Sequence, residues 1–154
     1  MTVLTVVGEN DAGKTSSLRK VIEMICLCGG EIQDVEGASR LYSFIIPNRI
    51  DKLYKYKDIT VMIFYKGKTF GITTLGDYVE GLEKRFKLLE NCDFFICASH
   101  PNDDTAKFIK ALSNKYPVKR IPKTSTSSDK SQQENDNAEF AKQLVDIIEE
   151  YLKK

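Results

Sequence analysis

Short apolar runs separated by helical patterns describe most of the chain. Val3 to Val7 and Asp93 to Ala98 are almost continuously apolar, which is typical of strands buried on both faces of a parallel sheet. Ile59 to Tyr65 and Lys68 to Thr74 are separated only by a Lys-Gly pair, which predicts a tight antiparallel hairpin. Three weaker runs predict shorter strands, and they cover residues 31–35, 41–46 and 117–122, the last at a sheet edge.

Four segments show the periodicity of amphipathic helices, and they cover residues 15–28, 77–89, 105–116 and 138–154. Asp77 or Thr74 is the expected N-cap of the second helix, whose apolar face comprises Tyr78, Leu82, Phe86 and Leu89. The last helix carries an apolar stripe expected to dock on the sheet. Residues 123–137 are polar and predict a flexible loop. The expected fold is therefore α/β, a single domain over residues 1–154 with a mostly parallel sheet and one antiparallel hairpin.

Between the first strand and the first helix lies Gly-Glu-Asn-Asp-Ala-Gly-Lys-Thr, residues 8–15. This sequence matches G-x-x-x-x-G-K-[ST], the pattern of a phosphate-binding P-loop. Gly8 and Gly13 permit backbone conformations that a Cβ would obstruct, so the loop N–H groups can converge on a phosphate. Lys14 supplies a mobile positive charge, and the Thr15 hydroxyl can bind Mg²⁺. A glycine turn that merely links strand to helix is the alternative interpretation.

The predicted nucleotide contacts in this loop are Gly8, Asn10, Asp11, Ala12, Gly13, Lys14, Thr15 and Ser16. A second acidic residue normally ends a neighbouring strand and holds Mg²⁺ through water. Here the strand ends in threonines, and the nearest acid is Asp77, just beyond Gly76. We predict that Asp77 assists the metal or the attacking water, with helix capping as its alternative role. Gly76 is expected to bring its N–H to the γ-phosphate, and Thr73 or Thr74 could instead contact a water beside that phosphate.

The strand 93–98 is followed by Ser-His-Pro-Asn-Asp, residues 99–103. Ligands of open α/β sheets lie beyond the carboxyl ends of the strands, so Ser99 and His100 are expected on the ligand side. This segment lacks the N/T-K-x-D guanine reader of GTPases, and guanine specificity is therefore not supported. His100 could act as a general base, but contact with the base of the nucleotide, or no contact at all, is the preferred interpretation.

The connection after the first helix carries basic residues interleaved with tyrosines. The preferred interpretation is a solvated connection whose tyrosines cover the sheet. The alternative is a flap over the nucleotide, with Arg40, Arg49 or Lys52 reaching the γ-phosphate.

Charge and composition give no support for a nucleic-acid or membrane partner. The chain has 154 residues with 23 Lys plus Arg and 22 Asp plus Glu, so its net charge of +1 gives no electrostatic argument for a nucleic-acid or membrane partner. No apolar run is long enough to span a membrane, and no cleaved signal is expected at the N-terminus. The four cysteines lack zinc spacing and predict buried free thiols in a reducing cytoplasm.

The chain resembles a minimal member of the P-loop NTPase superfamily. Its loop sequence GENDAGKTSSL is similar to loops of ABC and OLD-like ATPases, and its size and hairpin are similar to small GTPases or nucleotide kinases. The chain is most similar to short, uncharacterised P-loop ATP-binding proteins of bacteria and phages. The resemblance implies a three-layer α/β/α P-loop fold. The chain departs from the specific families by lacking an ABC signature, a D-loop, a plain Walker B Asp and an arginine-rich lid.

These observations predict binding of a nucleoside triphosphate, with ATP as the expected nucleotide and Mg²⁺ as the cofactor. Lys14 and Asp77 are the predicted catalytic residues for slow γ-phosphate hydrolysis, and Thr15 and Asp77 are the predicted metal ligands. A small-molecule or nucleotide kinase is one alternative. A non-catalytic module, whose loops order on binding and are read by a protein partner or a second copy, is the other.

Overall fold

A six-stranded mixed sheet forms the centre of the computed structural model, which describes residues 1–10, 12–38, 44–47, 49–124 and 129–154. The strands are β1 (Thr2–Val7), β2 (Glu31–Gln33), β3 (Thr60–Tyr65), β4 (Lys68–Thr73), β5 (Phe94–Ser99) and β6 (Val118–Pro122). Within the described ranges, the α-helices are α1 (Lys14–Leu27), α2 (Val79–Leu89), α3 (Asp104–Leu112) and α4 (Lys130–Leu152). The α/β class predicted from the sequence is confirmed.

The strand order is β2-β3-β4-β5-β1-β6. β4, β5, β1 and β6 are mutually parallel, whereas β3 is antiparallel to both of its neighbours. The predicted hairpin is confirmed as β3–β4, with Tyr65 opposite Lys68. Its two turn residues, Lys66 and Gly67, have φ of 50° and 79°, which is the backbone geometry that a two-residue hairpin needs. β5 lies between two parallel neighbours and is buried throughout, as its apolar sequence predicts.

Alternate residues of β5 belong to two separate hydrophobic cores. Phe94 and Ile96 pack in one core with apolar residues of α1 and α4. Phe95 and Cys97 pack in the other with residues of α2 and α3. Since successive side chains of a strand point to opposite faces, α1 and α4 cover one face of the sheet and α2 and α3 cover the other. This arrangement brings the starts of the helices to the carboxyl edge of the parallel strands.

The polar segment after β6 is largely helical rather than the loop that its composition predicts. α4 begins at Lys130, so the prediction of a loop is wrong for residues 130–137, and residues 125–128 lie outside the described ranges. The Asp129 side chain accepts a hydrogen bond from the Ser131 N–H and caps the helix. Gln132 and Asp136 then form a 3.0 Å hydrogen bond one turn apart. The low apolar content of these turns reflects a mostly exposed helix rather than a missing one.

Two other predictions need correction. α2 begins at Val79 with Tyr78 at its N-cap and no capping side chain, so neither Asp77 nor Thr74 caps it. Tyr78 is 54% exposed and does not join the buried face. The predicted strand 41–46 lies partly outside the described residues, and its described part forms only an isolated bridge between Phe44 and Thr60. No helix among the described residues combines the length and apolar character needed to cross a membrane.

The cysteines differ in exposure and therefore in expected reactivity. All four are free, as predicted, but Cys28 is exposed and contradicts the expectation of buried thiols. Burial raises the pKa of Cys92 to about 11 and that of Cys97 to about 12. Because the thiolate is the reactive form, these two thiols are protected both by the core and by their protonation.

We expect a thiol reagent to modify Cys28 first in the native protein, and Cys92 and Cys97 only after denaturant unfolds the core. Mass spectrometry of the modified peptides over time identifies the order. Cys28→Ser should remove the fast phase without affecting the melting temperature. Rapid native labelling of Cys97 would contradict the buried position of β5.

Candidate functional site

The loop of residues 8–13 is held by both strands that flank β1. The Gly8 N–H donates to the Ser99 carbonyl at the end of β5, with a nitrogen–oxygen distance of 3.1 Å. On the other side, the Lys123 N–H donates to the Val7 carbonyl at 2.8 Å, just beyond β6. The sheet hydrogen bonding thus continues to the first residue of the loop. The loop therefore starts from a fixed position at the carboxyl edge of the sheet, where ligands of α/β sheets bind.

The two loop glycines occupy positions where no side chain fits. A Cβ on Gly8 would lie 2.5 Å from the Lys123 carbonyl oxygen. Gly13 is the N-cap of α1 with φ of 86°, a left-handed conformation that favours glycine. A Cβ on Gly13 would also lie 2.2 Å from Asn137 Oδ1 on α4. The motif glycines are therefore required by the packing of β6 and α4 as well as by the turn itself.

Lys14 is buried although it carries the charge of the motif. Its side chain is 7% exposed, and its Nζ donates to the Gly8 carbonyl at 2.5 Å and to the Ser99 carbonyl at 3.3 Å. Burial lowers the pKa of Lys14, and the negative charges of Asp77, Asp103 and Glu9 oppose that shift only in part. The hydrogen-bond partners of the ammonium among the described residues are neutral carbonyls, so a polyphosphate would supply a directly bonded counter-charge.

Oxygen atoms gather on the Thr15 side of the loop. The Thr15 hydroxyl donates to the Thr74 carbonyl, 3.4 Å away and one residue beyond β4. The Asp77 carboxylate acts electrostatically on Lys14 and lines the same cleft as Thr15. Hydroxyl, carbonyl and carboxylate oxygens are the ligands that Mg²⁺ prefers. Among the described residues no three His, Cys, Asp or Glu side chains gather as a metal centre, but Mg²⁺ bound with a nucleotide needs only one or two protein ligands. The residues present therefore fit this ion.

A cleft of about 880 Å³ opens in front of the loop. Seven of the predicted site residues line it, and they are Asn10, Ala12, Gly13, Lys14, Thr15, Ser16 and Asp77. Asp11 lies outside the described residues. The cleft is also lined by Lys57, Gln133 and Asn137, which the sequence analysis missed. It missed Gln133 and Asn137 because it treated their helix as a loop.

Besides Gly8, three predicted residues lie at the carboxyl edge without lining this cleft. The Ser99 hydroxyl forms a 2.8 Å hydrogen bond with the Thr5 hydroxyl, so Ser99 faces the site only through its carbonyl. His100 lies beside Asp103, with 4.0 Å between Nε2 and Oδ2. Gly76 packs against β5, where a Cβ would lie 2.7 Å from the Ala98 carbonyl oxygen.

The described basic residues that could have formed a flap over the nucleotide do not reach the cleft. Arg49 forms a 3.8 Å ion pair with Asp51, and Lys52 belongs to a short 3₁₀ turn, Ile50–Lys52. Neither lines the cleft, and Arg40 lies outside the described part of the chain. Among the basic residues of this connection that the structure describes, Lys57 lines the cleft.

Comparison of the chain with protein-family models, with curated proteins and with solved structures found no match. The interpretation of the cleft therefore depends on the loop motif and on the geometry described above.

We expect Gly13→Ala to destabilise the protein more than Gly67→Ala does. Both residues have positive φ, of 86° and 79°, and a Cβ in this conformation costs about 1–2 kcal/mol. Gly67 has open space around its Cα, whereas at Gly13 the new methyl would also meet Asn137. Denaturant unfolding gives the free energy of unfolding for both variants. Asn137→Ala should recover part of the Gly13→Ala loss, and equal losses in the two single variants would contradict the contact with α4.

Proposed function

We propose that this protein binds a nucleoside triphosphate, with ATP as the expected nucleotide, in the cleft between the loop 8–13, Lys57 and α4. The observation that carries the proposal is the buried Lys14 ammonium, which is bonded to the carbonyl oxygens of Gly8 in the loop and of Ser99 at the end of β5. Its hydrogen-bond partners are neutral, and the charges of Asp77, Asp103 and Glu9 only partly offset the effect of burial, so an anion bound in the cleft would stabilise it further. The sequence motif supplies that anion's identity, because G-x-x-x-x-G-K-[ST] loops bind the β- and γ-phosphates of nucleotides.

The arrangement of the sheet and helices supports the proposal. α1 begins at Lys14, so its positive N-terminal end and its free N–H groups face the loop cavity. Helices that cover both faces of a mostly parallel sheet are the layout of a three-layer α/β/α P-loop NTPase fold. The loop lies at the carboxyl end of β1, between β5 and β6, which is where such a fold would place the phosphates.

Slow hydrolysis of the γ-phosphate is the reaction we propose. Lys14 and the loop N–H groups would stabilise the negative charge that develops on the phosphoryl oxygens. Thr15 and Asp77 would hold Mg²⁺, which supplies Lewis-acid neutralisation of the phosphates when bound. Asp77 would also orient the attacking water. The rate is expected to be slow because the nearest partner of the Thr15 hydroxyl is a main-chain carbonyl rather than a strand-end carboxylate.

The Thr15–Thr74 contact also favours the alternative of a non-catalytic regulatory module. Thr74 belongs to the segment that leads from β4 to Asp77, so a nucleotide that binds Thr15 would reposition this segment for a partner. The kinase alternative has a separate test, because a kinase would transfer the γ-phosphoryl group to an added nucleoside monophosphate and convert it to the diphosphate.

We expect Mg-ATP to raise the melting temperature of the wild-type protein, since a ligand of the folded state stabilises it. Lys14→Met should weaken Mg-ATP binding by roughly 10- to 100-fold, the value of one or two hydrogen bonds to a charged group. Isothermal titration calorimetry measures both affinities, and Lys115→Met, far along the chain after α3, is the control. Unchanged affinity in Lys14→Met would contradict the proposed site.

We expect Asp77→Asn to slow phosphate release at saturating Mg-ATP by roughly 10-fold, as for changes to groups that orient metal ligands, and to weaken Mg-ATP binding because a proposed metal ligand is lost. Phosphate release under saturating Mg-ATP measures the rate, and Lys14→Met sets the background. Release that Asp77→Asn leaves intact would remove the catalytic role of Asp77. Binding without release in the wild type would select the regulatory module.

The lowered pKa of Lys14 predicts two opposite pH dependences. Between the folded pKa and the ordinary lysine value, the unfolded chain binds more protons, so the free energy of unfolding without ligand should rise with pH. Over the same window Lys14 loses its charge, so Mg-ATP affinity should fall. Denaturant unfolding and calorimetry at several alkaline pH values measure the two slopes. Lys14→Met should remove both, and slopes that persist in this variant would assign them to other groups.

A further inference from the structure

Lys57 is a second lysine that lines the cleft, in addition to Lys14 of the loop. The side chain is exposed and lines the cleft together with Lys14, Thr15 and Asp77. Burial and the negative charge of Asp77 raise the pKa of the adjacent Asp58, while Lys57 opposes that shift. Lys57 and Asp77 thus act on the same carboxyl group, and both line the cleft together with Thr15.

The backbone of Lys57 is fixed to the helix that follows the loop. The Arg19 guanidinium donates to the carbonyl oxygens of Tyr56 and Lys57, and the Tyr54 hydroxyl donates to the Glu23 carboxylate. Glu23, Arg19 and Thr15 are spaced four residues apart and lie on one face of α1. The segment from Tyr54 to Lys57 therefore runs along α1 towards its N-terminus, and Arg19, which holds the backbone of Lys57, is one turn away from Thr15.

A second anchor follows Lys57 by two residues. The Ile59 N–H donates to the Thr74 hydroxyl at 2.9 Å, and the Thr74 N–H donates to the Ile59 carbonyl at 2.9 Å. Thr74 in turn accepts the hydrogen bond of Thr15. Lys57 is thus fixed between two connections that both lead back to Thr15. One helical turn is about 5.4 Å, a distance that the flexible four-carbon stem of a lysine can span.

This position corresponds to the outer end of a bound triphosphate. In a triphosphate complex the loop N–H groups would surround the inner phosphates, and Thr15 would hold Mg²⁺, so the γ-phosphate would lie on the Thr15 side. We propose that Lys57 contacts the γ-phosphate and makes the site select nucleoside triphosphates over diphosphates, with Arg19 as its positioning residue. A diphosphate fills the loop without reaching Lys57. The inference rests on the proposed function, because it assigns a specificity to the same cleft.

Lys57 could instead serve only as a counter-ion for Asp58 and Asp77. In that case its loss would affect both nucleotides equally, or neither. The two roles therefore differ in the ratio of the triphosphate and diphosphate affinities rather than in either affinity alone.

The test measures the dissociation constants of Mg-ATP and Mg-ADP by calorimetry for the wild type, Lys57→Ala, Lys57→Arg and Lys55→Ala. Lys55 is an exposed lysine of the same segment that does not line the cleft, and it is the matched control. We expect Lys57→Ala to weaken Mg-ATP binding about tenfold, as for a hydrogen bond to a charged group, and to leave Mg-ADP binding unchanged. Lys57→Arg should keep most of the preference, and Lys55→Ala all of it.

Arg19→Gln should reduce the preference for Mg-ATP in the wild-type background and have no further effect in Lys57→Ala. If Lys57→Ala leaves the ratio of the Mg-ATP and Mg-ADP dissociation constants unchanged, the assignment of Lys57 is overturned, but nucleotide binding by the protein is not. An Arg19→Gln effect that is fully additive to Lys57→Ala would overturn the positioning role. Absence of binding of either nucleotide to the wild type would overturn the proposed function and this inference together.

Discussion

The placement of the loop by three parallel strands is the constraint on which the rest of the site depends. The main-chain bonds from Gly8 to Ser99 and from Lys123 to Val7 continue the sheet past the end of β1 on both sides. A loop that begins from such a fixed point can direct its N–H groups inward without a large loss of conformational entropy when a ligand binds. The same bonds bring the Ser99 carbonyl close enough to hold the Lys14 ammonium.

The charges of the cleft are arranged around this fixed loop. Lys14 is buried and partnered by carbonyl oxygens, whereas Lys57 is exposed and lines the same cleft as Asp77. A buried cation without an anionic hydrogen-bond partner opposes folding, and proteins retain such groups mainly where they act. Burial of the Lys14 ammonium lowers the stability of the free protein, and an anion that binds to it would offset part of that loss. The role proposed for Lys57 extends the same argument from the inner to the outer phosphate of the proposed ligand.

Elements that are distant from the loop in the sequence form the remaining walls of the cleft. α4 contributes Asn137, which contacts Gly13, and the segment before β3 contributes Lys57 through its bonds to α1. Both elements also carry apolar residues of the core shared with α1. The walls of the cleft are therefore coupled to the packing of the domain, and a change in the position of α1 on ligand binding would be transmitted to both.

The sequence alone determined the elements whose signal is local. The hairpin, the buried strand β5 and the loop between β1 and α1 follow from residue spacing and turn chemistry, because two-residue turns, double-faced burial and glycine conformations leave direct marks in the sequence. Seven residues that line the cleft could be named in the same way. The start of α4 could not, because its capping by Asp129 is weak evidence beside a polar composition typical of loops.

Only the tertiary structure decided which distant residues face the loop. Lys57 was one of several basic residues in a connection, and nothing in its neighbours distinguishes it from Lys52 or Lys55. The distinction arises from Arg19, whose hydrogen bonds fix the backbone at that one point. Ser99 was correctly expected at the carboxyl edge of β5, but the choice between its hydroxyl and its carbonyl depended on Thr5 in the neighbouring strand. Such choices depend on the register and packing of separate segments, which a linear pattern does not encode.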